Sequence, residues 1–237
     1  MKELYDRMPT EIPTTSLPSV QDIDDLFVEL EKEGYTHIIA IPISSGLSGT
    51  LNGIKLVANN HSNITTCVFD SKALSLACGV LLEECGKLME AGKSFEEIVN
   101  ILPSIQNRVS VYFVVETLEY LKRGGRIGKI SGTIGELLNI KPIVSIDQED
   151  GKYYTYAKVR GRKQSINKLV DIAKEALADT KAKIFIMHAN VLDEALKLRD
   201  TLLQLPNVNS VIMGDLGPVM VVHAGPGLLA IAIVKDS

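Results

Sequence analysis

The chain alternates short apolar runs with stretches whose hydrophobic residues recur every three or four positions. That alternation predicts strands separated by helices. Ile23, Leu26, Phe27 and Leu30 fall on one helical face, with Ser19 and Asp22 placed to cap its start and Gly34 to end it. Residues 37–43 are an apolar run of strand length, and a helix is expected from near Leu47 to about Asn59. Residues 64–69 read as the next strand, and residues 72–91 as a long helix closed by Gly92. Ser94 and Glu97 form a capping box for another helix, and residues 109–115 form a third strand. To this point the order is β-α-β-α-α-β, the pattern of a parallel sheet covered by helices.

The pattern changes near residue 117. Residues 118–137 read as short helical pieces broken by Gly124, Gly125, Gly128, Gly132 and Gly135. Strands at 142–147 and 153–159 flank Gln148, Glu149, Asp150 and Gly151, a hairpin turn. A helix at 163–177, a strand at 183–187, a helix at 192–203 and strands at 210–213 and 229–234 complete the chain. The expected fold class is α/β in two units. Residues 1–116 make a parallel α/β unit, and residues 117–237 a mixed α+β unit whose tail can return to either. Residues 218–234 are apolar, but they carry His223 and a glycine-rich turn and are short for a membrane span. They read as two buried elements around that turn. The first 18 residues contain no strand, so the first strand follows a helix.

Composition narrows the function classes. The chain is 46% hydrophobic and 23% charged with a net charge of −4, which supplies a core but no basic face for nucleic acid. Aromatic residues are 5% and Trp is absent, so base-stacking platforms are poorly supplied. Cys67, Cys78 and Cys85 match no zinc or redox spacing and sit among apolar neighbours. They read as core thiols in a reducing, cytoplasmic compartment. The start of the chain is polar and charged, unlike a signal peptide.

The most informative motif is HIIAIPISSGLSGT, where a buried strand runs into a helix start. Free backbone N–H groups at such a junction favour an anion, and Gly46 lets the backbone approach a ligand. Ser44, Ser45, Ser48 and Thr50 add hydroxyl donors. The alternative is helix capping by one serine. The site suits a carboxylate or one phosphate. No nucleotide-binding P-loop and no nucleophile elbow occurs in the chain.

Other segments leave two readings each. PTTSLPS is a linker that caps a helix, or a rigid loop offering Thr15 or Ser16 to the same anion. LKRGGRIGK and KVRGRK are solvated loops, or basic surfaces with arginines able to pair with a carboxylate or phosphate. His223 is a core histidine, or a group that hydrogen-bonds a buried ligand. No histidine has metal-ligand spacing, so neither a metal nor a cofactor is expected.

In order and spacing, TTSLPS, ISSGLSGT, FDSKALSL, VVETLEYLKRGGRIGK, LNIKPIVSI, KVRGRK and GPVMVVHAGPG resemble the DegV family from about Tyr5 to the C-terminus. The resemblance implies two α/β domains that bind one long-chain fatty acid with its carboxylate buried. It implies a non-catalytic subunit that presents the acid to a separate ATP-dependent fatty acid kinase, giving an acyl-phosphate for phospholipid synthesis. Carried residue by residue, it places Thr15, Ser16, Ser44, Ser45, Gly46, Ser48 and His223 around the carboxylate. It places Arg126 and Arg160 at kinase engagement or phosphotransfer.

Two departures are visible. Family members usually begin with a strand ending in Thr-Asp-Ser, roughly fifty residues before the TTS loop, and that region is absent here. Val222 stands where a small residue usually precedes the histidine, which is expected to narrow the pocket. On this reading Ser45→Ala weakens fatty-acid binding by about an order of magnitude. The competing readings are a lipid-binding module without a phosphotransfer role, and an acyl hydrolase using Ser45 and His223.

Overall fold

The computed structural model describes residues 1–8, 10–11, 13–130 and 139–236. It contains a small and a large sheet. In the small sheet, β1 (His37–Ala40) pairs in parallel with β2 (Thr65–Val68). Helices α2 (Val20–Lys32) and α3 (Thr50–Ala58) pack on it through Ile23, Phe27, Val57 and the half-buried Ile38. α2 begins with the expected reciprocal cap. The Ser19 hydroxyl accepts from Asp22 N, and the Asp22 carboxylate accepts from Ser19 N. A cap of this kind stabilises by about 1 kcal/mol. Leu26, which spacing puts on the buried face, is exposed.

The large sheet holds β3 (Val109–Val114), β4 (Ile140–Ile146), β5 (Tyr153–Arg160), β6 (Ala182–His188), β7 (Val208–Asp215) and β8 (Leu229–Lys235), in the order β5-β4-β3-β8-β6-β7. β6 and β7 run parallel, and the other neighbours run antiparallel. The alternating pattern places β3 third in a parallel sheet after β1 and β2. In the structure it pairs antiparallel with β4 and β8 instead. Its apolar run shows only that it is an interior strand, since both sheet types bury such a strand on both faces. Its partners come from later in the chain.

The two faces of this sheet differ. Ile184, Ile186, Leu229, Ile231 and Ile233 point to α7 (Arg162–Ala176) and α8 (Leu192–Leu202), in a core with Leu169, Leu198 and Leu202. Their neighbours Phe185, Met187, Ala230 and Ala232 point the other way, with Val111 and Phe113, into a second core. That core includes α4 (Ser75–Glu90) and α5 (Phe95–Gln106), which begins with the expected Ser94/Glu97 capping box. α4 touches β3, β6 and β8, and its Cys78 thiol reaches Ile41 O at 3.6 Å, so it stands between the two sheets.

Two helices, α3 and α4, start later than their spacing predicts. α3 begins at Thr50 because residues 44–49 form turns, with Leu47 N and Ser48 N both donating to Ser44 O. α4 begins at Ser75 because Lys72, with φ of 45°, and the extended N-cap Leu74, with φ of −152° and ψ of 166°, lie outside the helical region. Three short helices complete the described residues: α1 (Lys2–Arg7), α6 (Glu119–Arg123) and α9 (Pro218–Ala224). α9 and β8 are the two elements expected around the glycine-rich turn. Of the helical pieces expected at 118–137, those beyond residue 130 lie outside the described residues. All three cysteines are free; Cys78 and Cys85 are core residues, Cys67 is half-buried, and burial pushes each thiol above its ordinary pKa.

Candidate functional site

A cleft of about 490 Å³ opens where three loops meet one short helix. Thr15 and Ser16 enter it from the loop before α2, and Leu47, Ser48 and Thr50 from the turns before α3. Arg126 comes from the segment after α6, and Met220 and His223 from α9. Tyr153, the first residue of β5, closes one side.

The polar centre is a contact between residues 208 positions apart: Thr15 Oγ1 lies 2.7 Å from His223 Nε2. Burial and the neighbouring Arg126 guanidinium both push the His223 pKa down, so the ring is neutral at neutral pH. Its Nδ1 is buried with no hydrogen-bond partner among the described residues. A neutral ring that donates from Nε2 leaves Nδ1 unprotonated, and it frees the Thr15 hydroxyl to donate into the cleft. Gly124 makes room for this ring. A Cβ there would sit 2.4 Å from His223 Nδ1.

Arg126 is held by two backbone carbonyls. Its Nη1 donates to Gly124 O at 2.7 Å and its Nε to Leu47 O at 3.3 Å. A guanidinium carries five N–H donors, so donors remain for an anion. Ser48 Oγ lies 2.9 Å from Thr50 Oγ1 and accepts from Thr50 N. Thr15, Ser16, Ser48, Arg126 and His223 therefore share one cleft.

The other expected residues lie elsewhere. The buried Ser44 hydroxyl donates to Gly151 O at 2.8 Å, and a Cβ on Gly46 would overlap the Gly151 carbonyl carbon at 2.4 Å. Both residues dock the β4–β5 hairpin turn against this loop. Ser45 donates to the Asp70 carboxylate from its backbone N at 3.0 Å and, in a shorter contact, from its hydroxyl. Burial works against the Asp70 charge, but the hydrogen bonds from Ser45 and Lys72 prevail and hold its pKa below the ordinary value. Arg160 is exposed at the end of β5, opposite Ile140. Ser45 and His223 thus have different partners, and the hydrolase dyad is not assembled.

The sequence reading missed Tyr153, Leu74 and Met220. These three also line a small apolar crevice of about 20 Å³, so it adjoins the cleft. Val111, Phe113, Met187 and Ala230 on the large sheet form its far wall. A signal for Tyr153 was present in Gly128 of the RGGRIGK segment, which has φ of 57°. A Cβ there would stand 2.5 Å from Tyr153 O, so the glycine marks a close approach.

Two further depressions border this region or lie apart from it. One of about 220 Å³ shares Thr15, Arg126 and His223 and adds Tyr120, Arg123 and Val222, so the Thr15–His223 pair stands between two openings. A larger cleft of about 580 Å³, near α1 and the start of α8, contains none of the expected residues. Among the described residues, no cluster of His, Cys, Asp and Glu can hold a metal ion.

Comparison with known proteins agrees with the architecture. A family model described as "Uncharacterised protein, DegV family" matches residues 1–236. A DegV domain-containing protein of Clostridium acetobutylicum is 48% identical over 236 residues, covering 99% of this chain and 84% of that protein. The crystal structure of a fatty acid binding DegV family protein from Streptococcus agalactiae superposes with a TM-score of 0.91 at 34% identity, covering 100% of this chain and 84% of that one. DegV from Bacillus subtilis, described as a fatty acid binding protein, gives a TM-score of 0.88 at 31% identity, covering 99% and 84%. With its whole described length matched in sequence and fold, the chain belongs to the DegV family.

Proposed function

We propose that this chain binds one long-chain fatty acid, with its carboxylate in the Thr15–Arg126–His223 cleft and its acyl chain running into the crevice behind Tyr153. The observation that carries this reading is that the polar cleft and the apolar crevice share Leu74, Tyr153 and Met220 in their walls, so a ligand entering the crevice, which must widen to hold an acyl chain, passes between them. A carboxylate taken from water needs a compensating charge and hydrogen bonds. Arg126 supplies the charge, and Thr15 and Ser48 supply hydroxyls. His223, kept neutral, orients Thr15 rather than pairing as a cation. The acyl chain gains about 0.8 kcal/mol per buried CH₂. The Streptococcus agalactiae and Bacillus subtilis structures, described as fatty acid binding, favour the same ligand class.

In this reading the chain is a non-catalytic carrier in the cytoplasm that presents its acid to a separate ATP-dependent kinase. The product is an acyl-phosphate destined for phospholipid synthesis. The smaller opening beside Thr15, Arg123 and Arg126 gives a phosphoryl donor a route to the carboxylate. Arg160 is exposed on β5 and does not line the cleft, so in this reading it is assigned to the partner. Among the described residues no helix is long and apolar enough to cross a membrane.

Mass spectrometry of ligand extracted from natively purified protein tests the carrier. The expected result is one long-chain acid per chain. Protein that arrives empty and takes up no added palmitate would end the reading. Acyl-phosphate formation on mixing loaded protein, ATP and the cognate kinase tests the second step.

A further inference from the structure

Tyr153 lies at the seam of the candidate site, lining both the cleft and the apolar crevice. Its ring is buried, and Phe113 holds it edge-on with centroids 5.1 Å apart. Its backbone is fixed on both sides. Tyr153 pairs with Ile146 across the hairpin, and its carbonyl accepts from Lys129 N at 2.7 Å. Ser44 anchors the hairpin turn two residues earlier through Gly151 O. The phenol is thus mounted on rigid elements. Its hydroxyl is not among the fully buried unpaired atoms, so it keeps some exposure at the seam where the ring lines the cleft and the crevice. A phenol hydroxyl placed there can donate to a ligand that spans both spaces.

We infer that the Tyr153 hydroxyl donates a hydrogen bond to the ligand's carboxylate and sets the depth at which an ionised head group stops above the acyl crevice. A carboxylate has two oxygens and room for several donors. Thr15 and Arg126 address it from the cleft floor, while Tyr153 addresses it from the crevice side. Burial pushes the phenol pKa up, against a smaller opposing pull from Arg126, so the group stays a donor across the physiological range. This selects acids over neutral lipids of equal length. An alcohol can also accept from Tyr153, but it brings no charge to strengthen that bond or the one from Arg126.

The inference rests on the fatty-acid reading, and its test separates the two. Delipidated full-length protein and its Tyr153→Phe variant are titrated with palmitate and with hexadecanol. The substitution keeps the ring against Phe113 and removes only the hydroxyl. The expected result is a loss of roughly tenfold in palmitate affinity, the scale of one hydrogen bond to a charged group, with hexadecanol changed less than about twofold. Equal palmitate affinity in both proteins overturns the role of Tyr153 while leaving the carrier intact. Equal weakening of both ligands also overturns it, by showing a packing role. Wild-type protein that binds no palmitate overturns the carrier and this inference together.

Discussion

The two faces of the six-stranded sheet are built from the same strands and serve opposite ends. On β8, Leu229, Ile231 and Ile233 turn toward α7 and α8 and are fully buried. The intervening Ala230 and Ala232 turn toward α4, where Ala230 walls the crevice. On this strand, period-two alternation sorts large side chains to one face and small ones to the other. The first face is filled to close packing. The second leaves a narrow apolar slot leading from a polar cleft. The lesson is that stability and ligand capacity are divided between adjacent residues of a single strand, so they can be perturbed separately.

The sharpest way to break this division is to fill the slot. Ala230→Leu should plug the crevice and bar the acyl chain from widening it, at a cost of roughly 100-fold in affinity for palmitate. A neighbouring change on the closed face should act the other way. Ile231→Ala removes a fully buried side chain from the α7–α8 core, and should lower unfolding stability by about 2–5 kcal/mol. Its effect on palmitate affinity should stay within about threefold. Denaturant titrations paired with binding isotherms give both quantities for each variant. If Ile231→Ala lost binding in proportion to stability, the two faces would not be separable.

The local elements were the legible part, whichever face they cover. Helix spans, both capping boxes, the Gln148–Gly151 hairpin and the final strand follow from local periodicity and turn chemistry. The open face was legible only in part. Hydroxyl density around Ser44–Ser48 reads as a set of donors for one ligand. Ser44 instead bonds a carbonyl 107 residues away, and Ser45 a carboxylate 25 residues away. The contact that centres the cleft spans 208 residues, and no local pattern reports it. Tyr153 reads as the start of a strand because only the fold brings its ring to a seam. The glycines at 124 and 128 carried usable information, but as markers of close approach to His223 and Tyr153 rather than of a loose loop.

A smaller effect sharpens the ligand side. Thr15→Val should weaken palmitate binding by about tenfold, by removing a hydroxyl aimed at the carboxylate. Ser45→Ala should now cost only two- to threefold, roughly, because the hydroxyl it removes serves Asp70 and reaches the cleft only through the loop. Isothermal titration of both variants separates the two positions. A larger loss in Ser45→Ala than in Thr15→Val would return the head group to Ser45.

The smallest expected effect again contrasts a closed region with an open one, through two histidines. His61 packs against Phe27 at the end of α3, with Nε2 2.9 Å from Asp24 and Nδ1 3.4 Å from Glu31. The hydrogen bond to Asp24, with Glu31 beside it, raises its pKa despite burial. Its stabilising contribution is therefore complete below the unfolded value near pH 6.5, and is lost as pH rises through the higher folded value. His223 has the opposite sign. Burial and Arg126 depress its pKa, so the fold disfavours its protonation and loses stability as pH falls below about 6.5. In the whole protein these slopes oppose each other. His61→Asn removes the first, and melting temperatures between pH 6 and pH 8 should then rise more steeply with pH than in the wild type. His223→Asn removes the second and should leave a melting temperature that falls over the same interval. Identical pH profiles in the two variants would mean that neither ring is held in its charge state by the groups around it.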